Sequence, residues 1–167
     1  MFTTVSGFLE SWQFESDATS KLLAALTDAS LAQAVTPTGR TLGRLAWHIT
    51  ITIPEMIGRT GLRLTGPAHD DPVPSSAHAI ATAYQEAASS LAKVVQESWT
   101  DATLALEDDM YGDKWPRGVT LGALVSHQTH HRGQMTVLMR QAGLVVAGIY
   151  GPAREEWSAM GISPPEI

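Results

Sequence analysis

Four stretches of this chain repeat apolar residues at spacings of three and four, and proline, glycine or polar breaks separate them. An α-helix collects residues so spaced into one stripe, and striped helices must bury those stripes against one another. The first stretch runs from about Thr4 to Asp28, with Phe8, Trp12, Glu15, Thr19, Leu22, Leu23 and Leu26 on a mostly apolar face, and Thr36-Pro37-Thr38-Gly39 breaks it. The second takes Thr41 as N-cap and runs to about Gly61, with Leu42, Leu45, Ala46, Ile49, Ile53, Met56 and Ile57 inward. Within it Ile49-Thr50-Ile51-Thr52-Ile53 alternates like a strand, and Pro54 costs a helix interior about 3 kcal/mol. Helical spacing on both sides of that run favours a helix kinked near Pro54.

From Gly61 to Ser76 the chain carries Gly66, Pro67, Pro72 and Pro74, which predicts an irregular crossover. The third helix is expected over Ala77 to Trp99, capped by Ser75 or Ser76, with Ile80, Ala83, Tyr84, Ala87, Leu91, Val94 and Val95 inward. Thr100 to Val119 is polar and acidic and reads as loop. The fourth helix is expected to start with Thr120 as cap and to stop at Gly143, with a short helix around Arg154 to Met160 in the tail. The expectation is one all-α domain over 1–167, a four-helix bundle with a long crossover between helices two and three.

Charge and composition exclude several functions. With net charge −6 and scattered Lys and Arg there is no basic stripe for a phosphate backbone, so nucleic acid is not expected as a partner. No run of 18 apolar residues spans a membrane, and Met1 to Trp12 lacks the pattern of a secretory leader, so the expected location is the cytoplasm. The chain has no cysteine. Any metal must therefore be held by His, Asp, Glu or backbone oxygen, and any reactive thiol must arrive with a ligand.

The chemistry-bearing feature is Ser126-His127-Gln128-Thr129-His130-His131-Arg132-Gly133-Gln134. On a helix His127 and His131 stack on one face, between the inward Leu124 and Met135, where two imidazoles can converge on one ion. Buried without partners they would carry a desolvation cost that a metal removes. His48, in the apolar Leu45-Ala46-Trp47-His48-Ile49, adds a third inward imidazole from helix two. By spacing alone His130 competes with His131, since residues three apart also meet. Gln134 shares the face of His131 and His127 and is a candidate for holding a ligand or touching substrate. Glu55, seven residues past His48, is expected chiefly as a surface carboxylate, with ligand or base as the other roles. His69 and His78 are expected in solvent, and Trp12, Trp47, Trp115 and Trp157 in core or interface positions.

Thr41-Leu42-Gly43-Arg44-Leu45-Ala46-Trp47-His48, then His127 to Gln134 and the ending Ile149-Tyr150-Gly151-Pro152 with Glu155-Glu156-Trp157, resemble the DinB family, a DinB/YfiT-like metalloenzyme superfamily. The resemblance implies a homodimeric bundle with a three-histidine metal site, carried onto His48, His127 and His131 rather than His130. It also implies low-molecular-weight-thiol S-transferases or thiol-dependent isomerases among relatives, and a link to stress.

Three neutral imidazoles leave a coordination position open, as catalytic metal sites do. A metal-held thiolate would be nucleophilic at neutral pH. The expected function is thus metal-dependent transfer of a small thiol, bacillithiol or mycothiol, onto a small electrophile, with zinc or nickel as the ion. The alternatives are metal-dependent hydrolysis and a non-catalytic stress-related dimer that binds metal or ligand.

Overall fold

The computed structural model describes residues 1–166. Helix α1 spans Val5–Ala24, with the Thr4 hydroxyl accepting the Gly7 N–H at 3.2 Å as its cap. A 3₁₀ turn at Asp28–Ala32, capped by Thr27, carries the chain toward α2, Leu42–Gly58. Thr41 caps α2 through Arg44 N–H. Helix α3 is Ala77–Ser98, capped by Ser76. Helix α4 is Arg117–Gln141, and Gly143 follows it at φ 75°, the left-handed conformation that stops a helix. Helix α1 packs on α3 and α4, and α2 on α3 and α4, so the four apolar stripes share one core.

No strand forms across Ile49–Ile53. The run alternates in type but not in burial, because α2 is covered on nearly every side: Ile49, Ile51 and Ile53 are fully buried, and Thr50 and Thr52 are buried too. The two threonines direct their hydroxyls back to the carbonyls of Ala46 and Ile49, which satisfies them without any sheet. The helix continues through Pro54. The crossover 59–76 folds onto that point: a Cβ at Gly66 would lie 3.3 Å from Pro54 Cγ and 3.2 Å from Ala87 Cβ, so a glycine is what permits the approach. Trp47 Nε1 donates to the Asp71 carbonyl at 2.9 Å and ties the far end of the crossover to α2.

Two expectations are corrected. The stretch 100–119 is not plain loop; it holds a 3₁₀ turn at Asp101–Ala105 and an antiparallel hairpin of β1, Glu107–Met110, and β2, Asp113–Pro116. Tyr111 and Gly112, both with positive φ (62° and 97°), make its two-residue turn, the geometry that matches strand twist. Arg117 clamps the base of the hairpin on Asp108 at 2.9 Å. Strands of four mostly exposed residues have too little burial to leave an alternating pattern. Nor does Thr120 cap α4. The helix starts earlier, at Arg117, with Pro116 at the cap position, and Thr120 is fully buried inside its first turns. The tail forms 3₁₀ turns at Arg154–Glu156 and Ser158–Met160. No helix is long and apolar enough to cross a membrane among the described residues.

Candidate metal centre

Helix α4 uses its two inner flanks differently. His127 and His131 lie one turn apart and face His48 of α2, while Arg132, one residue later, lies about 100° around the axis and faces Glu15 of α1; the buried Gln128 donates its Nε2 to the Ile49 carbonyl of α2 at 2.6 Å. His48 comes from the middle of α2 to meet the first pair. The three ring centroids form a small triangle of 4.9 Å (His48–His127), 4.7 Å (His48–His131) and 4.5 Å (His127–His131). One nitrogen from each ring lies within 4.8 Å of the others, and His48 Nε2 is 3.1 Å from His127 Nε2. Tetrahedral bonds of about 2.0–2.1 Å place neighbouring nitrogens about 3.3 Å apart, so the cluster has the dimensions of a metal's ligand set.

The outer nitrogen of His131 fits the same chemistry. His131 Nδ1 meets Gln134 Oε1 at 2.7 Å. An amide oxygen only accepts, so His131 carries its proton on Nδ1 and turns a bare Nε2 to the cluster, the tautomer that ligating histidines take. His127 Nδ1 is buried with no hydrogen-bond partner. Burial, followed by the neighbouring imidazoles, lowers the His48 and His127 pKa to about 4, and burial lowers that of His131. All three rings are therefore neutral at pH 7 with lone pairs available.

His130 is exposed, outside the group, with its ring nitrogen on the Gln134 amide at 3.2 Å. His69 and His78 are exposed and outside the group, His69 on the wall of the cleft that reaches His48 and His127. Glu55 is not the open surface carboxylate expected of it. It is half-buried on the wall beside His48 and His127, where it accepts from Arg59 Nε at 2.7 Å and from the Tyr111 hydroxyl at 2.7 Å. Burial and Glu55 together raise the Tyr111 phenol to about 12.

Two clefts open onto the cluster. One, of about 470 Å³, is lined by Glu55, Arg59, His69, Tyr111 and Trp115 around His48 and His127, with Met56 and Ala123 beside them. The other, of about 440 Å³, is mostly apolar and reaches His131 and Gln134.

The opposite flank of α4 holds a feature that the apolar stripes did not announce. Arg132 is 2% exposed and Glu15 8%. Arg132 pairs through Nη2 with the Glu15 carboxylate and through Nη1 with the Glu15 carbonyl at 2.9 Å and Thr19 Oγ1 at 3.1 Å. The Tyr150 hydroxyl joins the network, 2.5 Å from Arg132 and 2.8 Å from both Glu15 oxygens. A signal was available: Glu15 sits within the α1 stripe and Arg132 directly follows an inward histidine, so two opposite charges both face inward. Trp12 is also inside, 1% exposed, with Nε1 donating to the Ala88 carbonyl.

The family model described as DinB family matches residues 1–166. The chain is 50% identical over 167 residues to the uncharacterized protein YrdA of Bacillus subtilis (strain 168), covering 100% of both. A crystal structure of a DinB-like protein from Bacillus cereus ATCC 10987 is similar at TM-score 0.87 and 47% identity, over 90% of this chain and 100% of that one. A DinB-like protein of Bacillus subtilis, YjoA, shares the fold at TM-score 0.68 and 15% identity, over 88% of this chain and 99% of that one.

Proposed function

This chain belongs to the DinB family, and from that premise we propose that it is a metal-dependent transferase in which His48, His127 and His131 hold one divalent ion, zinc or nickel. The observation that carries the reading is a group of three neutral imidazoles with two clefts meeting at it. Three ligands leave a position for an exchangeable group, and separate approaches suit two reactants better than one reactant and water. The ion, when bound, supplies Lewis acidity that keeps a coordinated thiol as thiolate. The chain's own residues do the rest. Gln134 fixes the His131 ring, Arg59 and Tyr111 hold the Glu55 carboxylate beside the cluster, and the buried α2 face excludes water from behind it. Because the chain has no cysteine, the thiol is a small co-substrate, with bacillithiol and mycothiol as the candidates, and the acceptor is a small electrophile.

The test is thiol consumption by the zinc- and nickel-loaded protein, with each thiol and a panel of alkylating electrophiles. Loss of thiol above the uncatalysed rate, abolished by chelation under conditions that leave helicity intact, is the expected result. Chelation that unfolds the chain with no thiol consumed makes the metal structural and overturns the transferase reading.

Homodimerisation belongs to the same proposal. Trp12 lends it no support, being inside its own chain, whereas Phe14 on the outer face of α1 is 49% exposed. Sedimentation at micromolar concentration is expected to give twice the chain mass of 17.9 kDa; the single-chain value removes the dimer.

A further inference from the structure

The two clefts differ in the charge they leave unanswered. In the cleft beside His48 and His127, Arg59 is already engaged with Glu55. In the other, Val35, Leu45, Val137 and Leu138 form apolar walls, His131 and Gln134 close the inner end, and Arg40 stands exposed at the rim. Arg40 forms no ion pair among the described residues. Arg44, one turn before His48 on α2, is likewise exposed without an ion pair but does not line this cleft, so Arg40 is the cation that the cleft itself presents. Leu138 is 2% exposed at the base of the cleft, while Val35, in the turn before α2, and Val137, on α4, are 65% and 53% exposed on either side of it. An apolar slot with a single convergent cation is the usual form of a small-molecule site.

We propose that this cleft binds a small amphiphilic carboxylate, its apolar body along Val35, Val137 and Leu138 and its carboxylate paired with Arg40. A planar guanidinium matches a carboxylate in two parallel hydrogen bonds, which a lone apolar groove cannot offer to a neutral ligand. The body of such a molecule lies against His131, so the cleft delivers the acceptor to the ion. This names the substrate class of the transferase proposed above and rests on that reading for its chemistry, but binding itself requires only the cleft.

The experiment is calorimetric titration of the zinc-loaded full chain with octanoate and with octanol, repeated on chelated protein and on Arg40→Gln, Arg40→Lys and Arg63→Gln. Arg40 is exposed and unpaired, so its variants are expected to fold as the parent does. Octanoate is expected to saturate one site per chain. Arg40→Gln weakens it about tenfold, the size of one charge-assisted contact, with partial recovery in Arg40→Lys and no change in Arg63→Gln. Octanol binds more weakly than octanoate in the parent and equally in Arg40→Gln. Octanoate binding that ignores Arg40→Gln, or matches octanol, overturns the proposal. So does a second copy of the chain in the cleft, seen as dimer mass lost in Val137→Lys without loss of octanoate binding. Failure of the metal reading looks different: zinc is lost on dialysis while Arg40-dependent octanoate binding persists.

Discussion

Replacing His48, His127 or His131 by alanine is expected to strip zinc from the protein under dialysis that leaves the parent chain loaded. The loss should exceed the roughly 10–100-fold weakening that follows removal of a ligand's supporting partner, which is the effect expected of Gln134→Ala through its bond to His131 Nδ1. His130→Ala should change retention little, and His69→Ala and His78→Ala not at all, since those rings stand in solvent outside the group. Metal content by elemental analysis, on protein made without an affinity tag, reads all of these in one series. Loss in His130→Ala with retention in His131→Ala would falsify the assignment. The pH dependence follows from the same burial. An ordinary imidazole gives up its ligand role as pH falls through about 6.5. Here the folded-state values of His48 and His127 are lowered to about 4, so these rings stay unprotonated in metal-free protein well below neutrality. Retention is expected to hold at pH 6 and to fail as pH drops toward 4. The lowered values also mean that the unfolded chain takes up these protons first. Metal-free protein therefore has its full stability above about pH 6.5 and loses it progressively down to about 4.

Arg132→Leu is expected to destabilise the fold by about 3–5 kcal/mol, the cost of leaving one partner of a buried pair without the other. For a chain of this size that lowers the melting temperature by roughly 10 °C. The reason is geometric: Glu15 is left with its carboxylate between the Thr129 and Tyr150 hydroxyls, neither of which carries a positive charge. The double variant Glu15→Met with Arg132→Leu should recover most of the loss, because two apolar side chains of similar volume remove the stranded charge as well as the pair. Thermal melts of the two variants check this. A single variant as stable as the parent would mean that water already reaches the pair. Metal retention in either is expected to be near that of the parent, since the network lies on the flank of α4 away from the histidines.

Helical periodicity made the bundle and the three histidines legible, because burial on one face repeats every three or four residues and places His48, His127 and His131 inward with Leu45, Leu124 and Met135. Four things escaped it. The hairpin has no buried face long enough to alternate; Gly112 is a turn signal in it, but Tyr111 takes a positive φ that its residue type does not announce. The Glu15–Arg132 pair sits at positions that periodicity labels core, and a stripe says that a residue is inside without saying what it meets there. Glu55 looked like a surface carboxylate because its partner Tyr111 lies 56 residues away, on that same hairpin, and no local pattern joins them. The apolar cleft depends on the turn at 36–40 standing over α4, again a tertiary fact.

One consequence concerns how chains of this kind can drift in length. Along six residues of α4 two inward histidines are followed directly by an arginine whose partner is on a different helix. A single-residue insertion before His127 would turn everything on one side of it by about 100°, carrying the rings out of the cluster and the guanidinium away from Glu15 together. Point changes can be absorbed one at a time, but an insertion or deletion there is a simultaneous error at two unrelated sites. An added residue is expected to be tolerated instead in the exposed part of the 59–76 connection, short of the Gly66 contact with Pro54, where extra chain costs only a slowly growing closure entropy.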